Sequence, residues 1–253
     1  MAKYFLVSCL MVIAQFGMAQ QSSDSVIPQN SIEDSLAWGN VTPEQVEGFM
    51  AMAKMGHSTS QYYLGRCYFN GYGGLPNDKY KALEYFGQAA EKDQTEALYY
   101  LGFCYRFGFG VTKNEDRAQQ LFEKAVKWLE EEIDNNRYAP YYLAMCYNYG
   151  FGVAPDIPKS FSLYEKAAEM GNSQALVTMA MDYQHGNSIA QDLPKAIELY
   201  SKAVEMGNPQ AQLSLGYCYL DGEGVPTNRA KAMELFQAAA NQGLPAAQKA
   251  LLQ

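Results

Sequence analysis

The 253 residues are enough for one large domain or an elongated array with a buried core. Hydrophobic residues make up 48% of the chain and charged residues 18%, which is typical of an ordered globular protein. The chain has 27 acidic and 19 basic residues and a pI near 4.9, so it offers no basic stripe for phosphate groups. This charge balance disfavours a nucleic acid as the partner.

The first 19 residues are typical of an export signal. Lys3 gives a short cationic start, an apolar run follows, and Gly17 and Ala19 are small residues where a signal peptidase requires them. We therefore predict cleavage after Ala19, a periplasmic or secreted protein, and no membrane insertion of the mature chain. Lipoprotein anchoring at Cys9 is the minor alternative, because almost no apolar run precedes that cysteine.

Residues 20–42 are rich in Ser, Gln and Asp and show no sustained periodicity. This composition predicts a flexible leader between the cleavage site and a folded part that spans residues 43–253.

The folded part repeats one pattern five times, at intervals of about 36 residues with about six more in the second copy. The copies begin LGRCYFNGYGGL at Leu64, LGFCYRFGFGV at Leu101, LAMCYNYGFGV at Leu143, MAMDYQHGNSI at Met179 and LGYCYLDGEGV at Leu215. A second block follows each opening: KALEYFGQAA, RAQQLFEKAV, KSFSLYEKAA, KAIELYSKAV and KAMELFQAAA.

Both blocks carry apolar residues at helical spacing, as in Ala97, Leu101 and Tyr105 of the second repeat. A Gly-x-Gly turn usually separates the blocks, and an Asp or Asn precedes the second block, where its side chain can accept from the first free N–H groups of a helix. The predicted N-caps are Asp78, Asn114, Asp156, Asp192 and Asn228. The extra residues of repeat two predict a longer second helix and a longer return loop.

One helix pair cannot bury its apolar face alone, so the five pairs are expected to stack into an all-α solenoid. The predicted repeats lie near residues 60–95, 96–137, 138–173, 174–209 and 210–245, with terminal half-repeats at 44–58 and 246–253.

The shared pattern A–LG–Y–G-x-GV–D–KA–(L/W)(Y/F)–KAA–G resembles the Sel1-like repeats (SLR), a branch of the tetratricopeptide (TPR)-like superfamily found in bacteria and eukaryotes. The resemblance covers roughly residues 45–253 and implies a right-handed α-α superhelix that serves as an adaptor or scaffold, often in the cell envelope or secretory pathway. It implies no common catalytic residue.

The glycine turn suggests a nucleotide-binding loop and the cysteines suggest disulfides, but the sequence context disfavours both. A dinucleotide loop needs a preceding strand and a third glycine, whereas a helix precedes Gly108. Four cysteines, Cys67, Cys104, Cys146 and Cys218, occupy one position of the repeat. Packed helices lie about 10 Å apart and a disulfide requires Cα atoms within about 7 Å, so we expect four free, buried thiols.

The sequence predicts no enzyme, no cofactor and no metal site. Its two histidines, His57 and His185, lie in different repeats with no further ligand at metal-binding spacing. One secreted, cysteine-rich branch of the family binds or hydrolyses β-lactams, but it carries paired cysteines in each repeat. This chain has at most one, so such an activity is the least favoured alternative.

A protein or peptide is the predicted partner, bound on the concave face of the first helices, as the resemblance implies. Counting from the leucine of each repeat, positions two before and two, five and six after it are expected to face outward, and they are aromatic mainly in repeats one to three. The predicted binding residues are Tyr62, Phe69, Tyr99, Phe103, Phe107, Tyr141, Met145 and Tyr149. Exposed aromatic patches favour protein interfaces. Packing between repeats and a cell-wall or glycan platform are the alternatives, and the sequence leaves the oligomeric state open.

The intact mass of the exported protein, measured without reduction, tests two of these predictions together. We expect a chain that begins at Gln20 and takes up four alkyl groups at cysteine after denaturation. An internal disulfide would contradict the helix-spacing argument, and a lipid-modified Cys9 would contradict the cleavage site.

Overall fold

A computed structural model of the protein describes residues 32–252 apart from residues 93 and 187. The predicted signal peptide, residues 1–19, and the predicted leader up to residue 31 lie outside these residues. The described residues form thirteen α-helices and no strand. The helices are α1 (Ile32–Trp38), α2 (Pro43–Lys54), α3 (Ser58–Asn70), α4 (Lys79–Ala90), α5 (Thr95–Phe107), α6 (Glu115–Glu131), α7 (Ala139–Tyr149), α8 (Ile157–Glu169), α9 (Ser173–His185), α10 (Leu193–Glu205), α11 (Pro209–Asp221), α12 (Arg229–Asn241) and α13 (Pro245–Ala250).

The helices confirm the predicted all-α repeat architecture. The pairs α3–α4, α5–α6, α7–α8, α9–α10 and α11–α12 are the five repeats, and each helix packs on the helices before and after it along the chain. Helix α2 packs on α3, and α13 packs on α12. No helix of the described part of the chain combines the length and apolar character needed to cross a membrane.

The five predicted N-caps are confirmed. Each cap side chain accepts a hydrogen bond from a backbone N–H two or three residues further on, at 2.8–3.1 Å. Pro158 and Pro194 lie in the first turns of α8 and α10, where a missing N–H costs nothing. A cap of this kind contributes about 1 kcal/mol to the stability of its helix, so the caps help fix where each second helix begins.

The glycine turn has a structural role. Gly108 ends α5 in the left-handed region, with φ of 75°, and its N–H donates to the carbonyl of Cys104 at 2.9 Å. Gly110 has φ of 70° and lies so close to the backbone of Lys79 that a side chain would overlap the Lys79 carbonyl. The second glycine of this turn therefore lets repeat two pack directly on the backbone of repeat one.

Within a pair, an aromatic ring of the second helix packs on a very small residue of the first. A Cβ on Gly102 would lie 2.9 Å from Cε1 of Phe122, and one on Gly216 would lie 2.5 Å from Cε1 of Phe236. Repeats three and four carry alanine at the glycine position and tyrosine at the phenylalanine position. The tyrosine hydroxyls there donate to side chains of their own first helix: Tyr164 to Met145 Sδ at 3.1 Å and Tyr200 to Gln184 Oε1 at 2.8 Å.

The extra residues of repeat two lengthen its second helix, as predicted. Helix α6 has 17 residues, whereas α4 has 12 and α8 has 13. A return loop then runs from Glu132 to Tyr138 before α7 begins.

The predicted flexible leader is wrong from Ile32 onward. Residues 32–38 form helix α1, and Asp34, Ser35 and Leu36 within it are buried. Thr42 then caps α2 in a capping box with Gln45. A polar composition predicted disorder, but Asp34 is bound by Arg137 and Tyr138 of the return loop of repeat two, which the composition does not show.

The four cysteines of the repeats are free and buried, and the burial was predicted. Burial raises the pKa of Cys67 and Cys104 to about 12 and that of Cys218 to about 11, and it also raises that of Cys146. Because the thiolate is the nucleophilic form, these thiols are unreactive at neutral pH in the folded protein.

Gly216→Ala tests the packing of a ring on glycine. We expect a loss of about 1–3 kcal/mol in the free energy of unfolding, because the new Cβ overlaps the ring of Phe236. The matched control is Gly87→Ala in the interior of α4, where a Cβ meets nothing within 4 Å. That change should stabilise by about 0.5–1 kcal/mol through helix propensity. Urea unfolding measures both, and a Gly216→Ala protein as stable as Gly87→Ala would contradict the packing.

Candidate functional site

Two of the eight predicted binding residues are buried, and the prediction that they face outward is wrong. Tyr62 is 0% exposed and Tyr99 is 4% exposed. The hydroxyls of Tyr62 and Tyr142 lie 3.0 Å apart, and the ring of Tyr99 lies 5.7 Å from that of Phe122 and 5.1 Å from that of Tyr142. The position two before the leucine therefore faces the neighbouring helices in these repeats.

The other six predicted residues are at least partly accessible. Phe107 is 49% exposed and Tyr149 is 52% exposed, whereas the remaining four are half-buried: Phe69, Phe103, Tyr141 and Met145. Binding of a partner by these residues stays a prediction.

Several of these side chains join one aromatic cluster at the glycine turns. Phe103 lies 4.5 Å from Phe107 between ring centroids, Phe107 lies 6.3 Å from Phe151, and Tyr149 lies 5.7 Å from Phe151. Phe109 and Phe151 are the middle residues of two Gly-Phe-Gly turns. We call the following set the turn aromatic cluster: Phe69, Phe103, Phe107, Phe109, Tyr149 and Phe151.

A second site is formed where helix α1 lies against the first helices. The side chain of Leu36 is 0% exposed, and the carboxylate of Glu33 accepts from Nη1 of Arg66 at 3.2 Å. Arg66 is itself only 6% exposed, donates to the hydroxyl of Tyr62 at 3.3 Å, and places its guanidinium 5.3 Å from the ring centroid of Tyr100. A guanidinium over an aromatic face is a favourable contact.

The next carboxylate of α1, that of Asp34, is bound by the return loop of repeat two. Nη2 of Arg137 donates to Asp34 Oδ2 at 2.5 Å, and the hydroxyl of Tyr138 donates to Asp34 Oδ1 at 2.8 Å. Nη1 of Arg137 also donates to the carbonyl of Gly171 at 3.3 Å. The insertion that lengthens repeat two thus supplies a basic side chain to this site.

The segment that follows α1 reaches the far end of the repeats. Nε2 of Gln210, on α11, donates to the carbonyl of Ala37 at 3.4 Å. Nδ2 of Asn40 donates to the carbonyl of Gln242, just beyond α12, at 3.1 Å. Residues 32–40 therefore contact repeats one, two and five and the loop before α13.

We call the surface that holds α1 the α1 cleft, formed by Arg66, Tyr100, Arg137, Tyr138 and Tyr142. A cavity of about 190 Å³ remains beside Leu36 and Ala37, and Tyr141 and Asn70 also border it. Tyr141 is the one predicted binding residue that lines this cavity.

Burial in the cleft raises the pKa of Glu33 to about 7. The charge of Arg66 and a hydrogen bond from Tyr63 lower the pKa of Glu33, whereas the nearby Glu96 and Asp34 raise it further. Loss of hydration outweighs the attraction of Arg66, so ionising Glu33 near neutral pH weakens the hold of α1 on the cleft.

The site is arranged for binding. Among the described residues, no group of three or more His, Cys, Asp or Glu side chains could hold a metal ion. His57 caps α3 by accepting from the N–H of Ser60, and His185 is exposed at the end of α9. The chemistry of the cleft is charge pairing and apolar burial.

Comparison with known proteins identifies the repeats. The Sel1 repeat family model matches residues 58–94, 95–127, 138–172, 173–208 and 209–244. The chain belongs to the Sel1 repeat family. Sel1 repeat proteins generally serve as scaffolds for protein–protein interactions. No curated protein matches this sequence.

Solved Sel1 repeat structures resemble this one. The similar structures include a Sel1 repeat protein from Klebsiella pneumoniae, at 21% identity and a TM-score of 0.50, with 83% of this chain and 98% of that chain covered. A Sel1 repeat protein from Oxalobacter formigenes is 25% identical over 83% of this chain and 80% of that chain, with a TM-score of 0.49. The Escherichia coli protein c5321, a protective antigen of uropathogenic strains, is 31% identical over 83% of this chain but only 44% of its own, with a TM-score of 0.44.

Sequence reasoning missed most of the α1 cleft. A signal was present in the doublets that precede the leucine in repeats one to three: Tyr62-Tyr63, Tyr99-Tyr100 and Tyr141-Tyr142. The second tyrosines at 100 and 142 line the cleft, whereas Tyr62 and Tyr99 are packed beneath. For α1, the signal was Ile32 and Leu36 at helical spacing around two acidic residues.

The raised pKa of Glu33 predicts a pH dependence of stability that Glu33→Gln removes. Glu33 binds its proton more tightly in the folded chain than in the unfolded chain. Its contribution to the free energy of unfolding is therefore fully present below about pH 4.5 and is lost as the pH rises through about 7. Glutamine stays neutral throughout. We expect equal urea midpoints for the two proteins at pH 4.5 and a lower midpoint for the wild type at pH 8. A difference that does not change with pH would contradict the assignment.

Proposed function

We propose that this protein is an exported, non-enzymatic scaffold that binds a protein partner through its turn aromatic cluster. The scaffold role is general in the Sel1 repeat family. Export is supported by the signal-like residues 1–19, and the binding surface by the accessibility of Phe107 and Tyr149.

Two aromatic rings are exposed at equivalent positions of neighbouring repeats, and this exposure supports the proposed binding surface. Phe107 and Tyr149 each follow the leucine of their repeat by six positions, and about half of each side chain is accessible. Both rings lie against Phe151. Exposed aromatic groups joined in this way are typical of the energetic centre of a protein interface.

The cluster is held in place before a partner arrives. Phe103 stacks on Phe109 at 5.9 Å with planes 23° apart, and the ammonium of Lys79 lies 3.5 Å from the ring centroid of Phe69. A surface fixed by such contacts loses little side-chain freedom on binding, which favours affinity. The cluster therefore provides a preformed surface on which apolar side chains of a partner can pack.

The double variant Phe107→Ala/Tyr149→Ala tests this function in a pull-down from envelope extract with the mature protein as bait. We expect at least tenfold less captured protein, with thermal unfolding little changed because both rings are half-exposed. The matched control is Tyr80→Ala, which removes a ring that is 78% exposed on α4, outside the cluster. It should capture as much as the wild type.

Equal capture by the double variant and the control would contradict the proposed surface. Captured material that resists protease but is released by glycan-degrading enzymes would support the alternative, a cell-wall or glycan-binding protein.

A further inference from the structure

We infer that the α1 cleft is a second binding site, which takes an acidic, leucine-containing segment of a partner protein in place of α1. This site goes beyond the proposed function, because its residues are distinct from the turn aromatic cluster. Helix α1 shows the chemistry that the cleft accepts: two adjacent carboxylates followed, two residues later, by a leucine.

The two carboxylates are bound by different parts of the fold. Glu33 pairs with Arg66 on α3, and Asp34 pairs with Arg137 and Tyr138 on the loop before α7. The bond from Arg137 to Asp34, at 2.5 Å, is a short charge-assisted hydrogen bond, a strong kind, whereas the bond from Arg66 to Glu33 is longer, at 3.2 Å. Because the two arginines come from different repeats, their spacing is set by the stack and selects two neighbouring acidic residues.

The charge of the cleft favours an acidic occupant. The chain has more acidic than basic residues, yet this surface presents two guanidinium groups, those of Arg66 and Arg137. The side chain of Arg66 is only 7% exposed while Glu33 is bound. A buried charge that loses its partner destabilises a protein strongly, so any ligand that displaces α1 must supply a hydrogen-bond acceptor to Arg66 in place of Glu33.

The burial of Leu36 indicates that the cleft also binds an apolar side chain. Its side chain is completely buried, and the cavity of about 190 Å³ beside it is bordered by the rings of Tyr100 and Tyr142. An incoming leucine thus gains apolar burial, and the remaining space admits a segment with larger side chains than those of α1.

Helix α1 is suited to leave the cleft. It has seven residues, and a helix this short has little stability of its own. Its attachment to the same chain nevertheless gives it a local concentration in the millimolar range, on the order expected for a short linker. A free segment of the same sequence must therefore bind poorly until α1 is displaced.

The test uses the full chain with α1 released and the peptide SIEDSLAWGN, which repeats residues 31–40, as the probe. The variant Asp34→Lys/Leu36→Lys removes one carboxylate and the buried leucine, so the cleft is opened without a change in the repeats. Leu36→Ala is the milder second variant. Glu47→Lys, on an exposed position of α2, is the control for the altered charge. Thermal unfolding establishes that each variant is folded.

We expect the opened variant to bind the labelled peptide at least tenfold more tightly than the wild type and Glu47→Lys do. The peptide SIENSLAWGN, in which asparagine replaces the aspartate equivalent to Asp34, should bind the opened variant at least tenfold more weakly, and Arg137→Gln in the opened variant should have the same effect. Phe107→Ala/Tyr149→Ala should leave peptide binding unchanged, so a failure here is distinct from a failure of the proposed function.

Equal binding of the peptides SIEDSLAWGN and SIENSLAWGN would overturn the inference, as would the absence of saturable binding to a folded, opened variant. Wild-type dimers that the peptide dissociates would also overturn it, because a second copy of this chain would then be the occupant.

Discussion

The packing of an aromatic ring on a residue with almost no side chain holds each helix pair together. Gly65, Gly102 and Gly216 leave room for a phenylalanine ring of the second helix, and any larger residue would collide with it. The ring is buried, so it contributes apolar area and keeps the two helix axes close. Close pairs expose a continuous face to the next repeat, and the stack of five pairs depends on that face.

A regular stack places side chains of different repeats at fixed spacing, and the α1 cleft depends on this. Arg66 is in repeat one and Arg137 in the return loop of repeat two, yet both contact consecutive residues of one short helix. The insertion in repeat two breaks the regularity once, and it does so where a basic side chain is needed. The irregular part of the array thus contributes directly to its candidate binding site.

The repeat architecture was predictable because each feature has a local physical cause. Asp78 and its equivalents cap helices through their own side chains. Glycine is favoured at position 108 because the backbone there adopts the left-handed conformation. The exposure of aromatic residues was harder to predict. Tyr99 and Tyr100 are neighbours in sequence, their side chains point about 100° apart on a helix, and both are apolar enough to be buried. Composition alone does not show which of them packs on Phe122.

Helix α1 could not be predicted from the repeat pattern, because it is outside that pattern. This helix is too short to be stable alone. Its acidic side chains are bound by Arg66, Arg137 and Tyr138 in the hydrogen bonds described above, and these residues are distant in sequence. Tertiary contacts determine this element, whereas local signals determine the repeats. The turn aromatic cluster is intermediate: sequence predicted Phe107 and Tyr149, and only the structure shows that Phe151 joins them.

The α1 cleft as described requires residues 32–40 to occupy it in the unliganded protein. Hydrogen–deuterium exchange of the backbone amides of Gly39 and Asn40 measures this occupancy, because both donate to the carbonyl of Ser35, at 2.9 and 3.1 Å. We predict that both amides are protected in the wild type and that Asp34→Lys/Leu36→Lys removes this protection while the amides of α3 stay protected. Exchange at the rate of an unstructured chain in the wild type would contradict this occupancy.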